Sequence, residues 1–197
     1  MTELKPLSID FFQQPTLELA QNLLGCLLVK ETEEGIASGY IVETEAYIGP
    51  GDRASHGFGN RRTKRTEILF GEAGYVYTFV THTHTLVNVV SGPAEESEGI
   101  LVRAIEPVEG IDLMRERRGI DNLRNLTNGP GKLTKALKIK MDDYGLPITK
   151  PPLYITTGKI PEAISKGPRV GIENSGEAKH YPWRFWITGN PFVSRKG

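Results

Sequence analysis

The chain is poor in the features that mark several large protein classes. Cys26 is its only cysteine, which excludes an internal disulfide and a cysteine-based zinc site and suits a reducing, cytoplasmic setting. No apolar stretch approaches the ~20 residues of a membrane span, so no membrane partner is expected. The start, MTELKPLSIDFF, lacks a basic segment followed by an apolar run, so no signal peptide is expected either. There is no HExxH pair, no P-loop, no GxGxxG after a strand and no GxSxG elbow. His82 and His84 at i, i+2 fall short of the three convergent ligands a zinc site needs, so no metal is expected. Net charge is missing too, with 24 Lys and Arg against 24 Asp and Glu. That balance by itself speaks against a nucleic-acid partner, because phosphate binding usually leaves a basic footprint.

What is present points to a soluble, turn-rich chain. Its 197 residues suffice for one domain, 1–197, and the 22 Gly and 13 Pro predict many turns and ordered loops. The charges are also clustered. Arg61, Arg62, Lys64 and Arg65 form one basic group, Arg115, Arg117, Arg118 and Arg124 a second, and Lys132, Lys135, Lys138 and Lys140 a third. A one-sided basic face is compatible with neutrality, although solvated helix faces explain such clusters at least as well.

Pro15 opens a helical pattern with Leu17, Ala20 and Leu24 on one face, closed by Gly25. Residues 26–31 and 37–47 read as strands joined by a short turn, and 49–62 as a long Gly-rich loop of functional length. TKRTEILF predicts a short helix. YVYTFV and TLVNVVS predict a hairpin around THTH, and ILVRAIEP a further strand. Pro107 is expected to start a helix running to Arg118, and NGPGKLTKALKI a second basic helix. LYIT, RVGI and WRFWI are strand candidates. These elements make an α+β domain, mostly antiparallel, with flanking helices.

Three segments carry candidate chemistry. In VETEAY, period-two alternation puts Glu43, Glu45 and Tyr47 on one strand face, leading straight into the Gly-rich loop. Exposed strand glutamates are common, so this pattern alone favours an ordinary solvent-facing side. Tyr75 and Tyr77 share a face in YVY, where flat amphipathic rings either stack on a ligand or fill a core. Arg103 lies within the apolar run LVRA and predicts a carboxylate partner.

VETEAYIGPGDRASH, followed in order by GYVY, LVRAIEP, NGPGKL and RVGI, resembles the alkyladenine (3-methyladenine) DNA glycosylase family. The resemblance runs from about Leu17 to WRFWITGNPFVS. It implies a curved mixed sheet like the C-terminal domain of formyltransferases, and a monofunctional glycosylase of base excision repair. Such an enzyme flips alkylated or deaminated purines (3-methyladenine, 7-methylguanine, hypoxanthine, ethenoadenine) from double-stranded DNA and needs neither metal nor organic cofactor. By the resemblance Glu45 is the general base, and Arg103 and the Val170 carbonyl help hold the water. Tyr47, His56 and Tyr77 sandwich the base, with the His56 amide donating to it, and Asn88 disfavours guanine. Arg61, Thr63, Lys132 and Gly171 match positions near the DNA backbone. The hairpin-tip tyrosine of the family is replaced here by THTH, leaving His82 or His84 to fill the gap in the duplex. A monomer is expected. The competing reading is a non-catalytic nucleic-acid-binding module of the formyltransferase type, which has no need of Glu45 and Arg103 together.

Overall fold

A computed structural model describes residues 5–195. Two short helices, α1 (Ile9–Phe12) and α2 (Thr16–Asn22), precede the strands β1 (Leu27–Thr32) and β2 (Gly35–Tyr47). A hairpin of β3 (Val76–Thr81) and β4 (His84–Ser91) leads into β5 (Glu98–Glu109). Helices α3 (Ile111–Arg118) and α4 (Pro130–Leu137) follow, then β6 (Thr149–Lys150), β7 (Leu153–Thr156), β8 (Ile164–Gly167) and β9 (Arg184–Ile187). All strand pairs are antiparallel, in the order β3-β4-β5-β2-β1-β7-β6, with β9 bridging β2 and β8. The fold is α+β.

Alternation divides the sheet into two chemically different faces. Val76, Val87, Val89, Ile100, Val102 and Ala46 point into the main core, together with Leu19 of α2, Met114 of α3 and Leu133 and Leu137 of α4. Their neighbours Tyr77, Asn88, Leu101 and Glu45 face the other way. Register turns these four into one cross-strand row, because Tyr77 pairs with Asn88, Asn88 with Leu101, and Leu101 with Glu45. Directly opposed residues have Cβ atoms only ~5 Å apart, so a row of this kind is a ready-made site floor.

Two irregularities bend the central strands beside that row. Between Ile41 and Glu43, β2 carries an extra residue, Val42; between Ala104 and Val102, β5 carries an extra residue, Arg103. Bulges increase local twist and re-aim side chains. Here they bring Arg103 against two glutamates of β2.

Several expectations require correction. Pro107 does not start a helix. It lies within β5 opposite Gly39, and the helix begins only at Ile111, after Gly110 takes the left-handed φ of 71°. Pro107 is tolerated in the strand because the register is irregular there, between Ser38 and Gly39. RVGI forms no strand; Arg169 to Ile172 run as a loop held by side-chain bonds. TKRTEILF contributes only a 3-10 turn, Glu67–Phe70. The strand Ile164–Gly167 and the helix Ile9–Phe12 had no clear local signal. The hairpin is as expected, and its two-residue tip, His82 and Thr83, has φ of 46° and 71°. That mirror-image turn suits the strand twist but normally takes Asn-Gly. No helix among the described residues is long and apolar enough to cross a membrane.

Candidate active site

The face away from the helices opens into a cavity of about 340 Å³, within the ~300–1,000 Å³ of small-molecule sites. β2 supplies Tyr47, β3 supplies Tyr77 and Phe79, β4 Asn88, and β5 Leu101 and Arg103; the Gly-rich loop adds His56. Val170 and Gly171 close one side, and His82 of the hairpin tip stands at the rim.

Glu45 lies behind this wall with no exposed surface. The solvent-facing reading of the VETEAY strand is therefore wrong, since Glu43 is equally buried. Each oxygen of Glu45 is engaged: Oε1 accepts from the Val170 amide at 2.7 Å, and Oε2 from the Tyr47 hydroxyl at 2.9 Å and Arg103 Nη1 at 3.2 Å. Burial raises the Glu45 carboxyl above its ordinary value of 4.5, while Arg103, the Val170 amide and the Tyr47 hydroxyl pull it back. The expected partnership with Arg103 is present, and desolvation outweighs it. For Arg103 the balance goes the other way: burial opposes its charge, but Glu45 and Glu43 leave it raised.

Glu43 has a different task from Glu45. Its oxygens accept from Arg103 Nε at 3.1 Å, Arg184 Nη1 at 3.1 Å, and the amide and hydroxyl of Ser194 at 2.6 and 2.9 Å. Four donors, two of them arginines, commit Glu43 to holding the site together, and it orients Arg103 toward Glu45.

The aromatic lining is ordered by its own contacts. His56 Nδ1 lies 2.8 Å from the Tyr77 hydroxyl, and Phe79 stacks on Tyr77 with ring centroids 5.5 Å apart. Burial, reinforced by the charge of Arg65, lowers His56 to about 4, so the ring is neutral in the neutral range. Asn88 Nδ2 donates to the Tyr77 carbonyl at 3.1 Å, which fixes the orientation of the amide. Behind Tyr47 sits a fully buried ion pair: Arg169 meets both oxygens of Asp52, donates to the Ala46 carbonyl at 2.8 Å, and lies 4.7 Å from the Tyr47 ring. Asp52 also accepts from the amides of Ile48 and Ala54. This pair ties the Gly-rich loop to the loop carrying Val170.

The remaining candidates are not all gathered here. Arg61 and Thr63 line a second hollow, about 500 Å³, which shares Ser55 and His56 with the first and adds Arg53 and Arg65. Thr63 is occupied in a turn, its amide donating to Thr66 Oγ1 at 2.9 Å. Lys132 sits in the first turn of α4 with Nζ 2.8 Å from Asn128, away from the cavity wall. His84 packs over Gly131, where an added Cβ would come within 2.7 Å of the His84 Cβ, so His82 is the histidine at the mouth. Among the described residues no group of three His, Cys, Asp or Glu side chains could hold a metal ion. Sequence reasoning missed Phe79, although the alternation of Tyr75 and Tyr77 extends to it. It also missed Asp52 and Arg169, both inside quoted motifs, whose pairing across 117 positions leaves no local trace.

Known proteins give this arrangement a context. A chain from Bacillus licheniformis is 67% identical over 191 residues, 97% of each chain, and one from Bacillus subtilis (strain 168) is 66% identical over 193 residues, 98% of each. A Listeria monocytogenes chain is 44% identical over 188 residues, covering 94% of this chain and 90% of its own. All three carry the name "Putative 3-methyladenine DNA glycosylase". The sequence model of the Methylpurine-DNA glycosylase (MPG) family matches residues 10–191, and with it the chain belongs to that family of DNA glycosylases.

Proposed function

We propose that this DNA glycosylase acts as one monomeric catalytic domain, without a cofactor, on modified purines in duplex DNA, and cleaves their N-glycosidic bond with water activated by Glu45. The observation that carries the reading is a fully buried carboxylate, bonded to Arg103 and the Val170 amide, directly behind an aromatic-lined cavity. Rupture of the bond builds positive charge on the sugar. An ionised carboxylate beside C1′ stabilises that charge and takes the proton of the attacking water. Arg103 keeps the carboxylate aligned, and the Val170 carbonyl offers the same water a second acceptor. No lysine or terminal amine is needed, so no Schiff-base strand cleavage accompanies excision.

A base in a duplex is out of reach and must be flipped. Tyr47, His56 and Tyr77 recover part of the stacking lost, ~1–3 kcal/mol per contact. Asn88 narrows the cavity against the exocyclic amine of guanine. His82 at the rim, beside the half-exposed Val80, fills the gap left in the duplex. The backbone runs along Arg61 and Thr63 toward Gly171, with Lys132 and His84 at its margin. Alkylated purines such as 3-methyladenine and 7-methylguanine, and neutral lesions such as hypoxanthine and ethenoadenine, are the substrate class.

Glu45→Gln keeps the shape and removes the base. Single-turnover release of hypoxanthine or 3-methyladenine is expected to fall at least ~1,000-fold while lesion binding persists. Excision at the wild-type rate by this variant would overturn the mechanism. The non-catalytic binding module fits neither the family membership nor the paired Glu45 and Arg103.

A further inference from the structure

Neutral purine lesions pose a problem that Glu45 does not solve. When the glycosidic bond of a cationic purine such as 7-methylguanine breaks, the bonding pair neutralises the base as it departs. When the same bond of hypoxanthine breaks, the pair places negative charge on the purine, which later takes a proton from water. A hydrogen-bond donor on the leaving base therefore stabilises the second transition state far more than the first.

The cavity wall contains an unused donor of this kind. Ser97 lines the cavity, is 1% exposed, and its hydroxyl has no hydrogen-bond partner. A buried hydroxyl without a partner is costly, and in native folds it calls for an explanation. The chain also holds this residue in place at some expense. Ser97 has φ of 50°, a left-handed conformation that a residue with a side chain seldom adopts. Opposite it stands Gly57, beside His56 on the Gly-rich loop. A Cβ on Gly57 would come within 2.0 Å of the Ser97 hydroxyl oxygen. The backbone of Gly57 is ordinary, with φ of −92°, so glycine is required there for space, and the space is taken by this hydroxyl. Backbone strain and an unsatisfied donor meet in Ser97 at the cavity wall, with the missing side chain of Gly57 beside it.

We infer that the Ser97 hydroxyl turns about χ1 from Gly57 toward the cavity, donates a hydrogen bond to the flipped purine and stabilises a neutral base as it leaves. The inference rests on the excision reading above and assigns it a leaving-group donor. C1′ loses the base with the bonding electron pair and gains the water oxygen; Glu45 takes the water proton, and Ser97 keeps its own.

The test compares single-turnover excision of hypoxanthine and of 7-methylguanine from otherwise identical duplexes by wild type, Ser97→Ala and Ser97→Gly. Glycine adopts the left-handed backbone freely, so the second variant removes the hydroxyl while relieving strain; thermal melting verifies the fold of each. The ratio of the hypoxanthine rate to the 7-methylguanine rate is expected to fall at least about tenfold in both folded variants. A ratio that moves less, including equal losses on both bases, overturns the assignment and leaves the excision reading intact. Wild-type protein that releases 7-methylguanine but no hypoxanthine also overturns it. Wild type that releases neither base removes the excision reading and the role of Ser97 together.

Discussion

Glu45 and Glu43 are two residues apart on one strand, equally buried, and bonded to the same arginine, yet their neighbours give them opposite chemistry. Glu43 accepts four hydrogen bonds, two of them from arginines, and is tied into the structure by them. Glu45 shares Arg103 but spends its other bonds on an amide and a phenol, and burial raises its carboxyl above 4.5. A carboxyl raised by burial holds its proton to a higher pH than a free one, so the active, ionised base is lost early as pH falls. The acid limb of the rate profile is thus expected above pH 4.5. Single-turnover release of 7-methylguanine, whose departure needs no protonation, measures it, and a rate still flat below pH 4.5 would contradict the assigned base.

At the scale of elements, the site depends on loops being fastened to the sheet. Asp52 holds the Ala54 amide of the Gly-rich loop, the Ile48 amide just before it and both ends of the Arg169 fork, and Arg169 in turn lies against Tyr47 and Trp183. Both members of the pair are completely buried. Removing one charge of such a pair strands the other and typically costs about 3–5 kcal/mol. Asp52→Asn is expected to lose that much in chemical denaturation and to slow excision, since His56 and Val170 ride on the two loops it joins. A loss below about 1 kcal/mol would show the clamp to be dispensable. The Gly-rich loop was legible in the sequence as a functional segment because it is long and rich in glycine, whereas the loop carrying Val170 reads there as a strand. Their fastening was not, because Asp52 and Arg169 meet only after the chain between them has folded.

Over the whole molecule, zero net charge conceals an uneven surface. Part of two of the three basic clusters is answered by acids: Arg115 by Asp112, Arg117 by Glu34, and Lys138 by Glu33 and Glu34. Arg62 of the remaining cluster is bound to Glu67 and Glu95. Arg53, Arg61 and Arg65, which have no carboxylate partner among the described residues, surround the hollow adjoining the cavity. Three arginines without an acid partner thus stand beside the cavity, where the proposed reading takes the phosphate backbone of a flipped nucleotide. Each phosphate contact releases condensed counterion and adds roughly one to the slope of log K against log salt. Arg61→Ala is expected to lower the slope for lesion-containing duplex by about one, and Arg115→Ala to leave it unchanged. Identical slopes for the two variants would place the backbone elsewhere.

The sequence by itself determined the α+β character, the hairpin and the central strands, because apolar alternation and turn residues are local properties. Through its motif it also nominated Glu45, Arg103 and the aromatic wall. Only the tertiary structure decided that Glu43 is held by two arginines and Glu45 by one, that His82 and not His84 stands at the cavity mouth, and that Pro107 continues a strand. It also decided that Ser97 is left without a partner. Each of these rests on register and on contacts between distant segments. The bulges at Val42 and Arg103 show why: one extra residue in each strand redirects the side chains that follow, and no local pattern reports which strand will lie opposite.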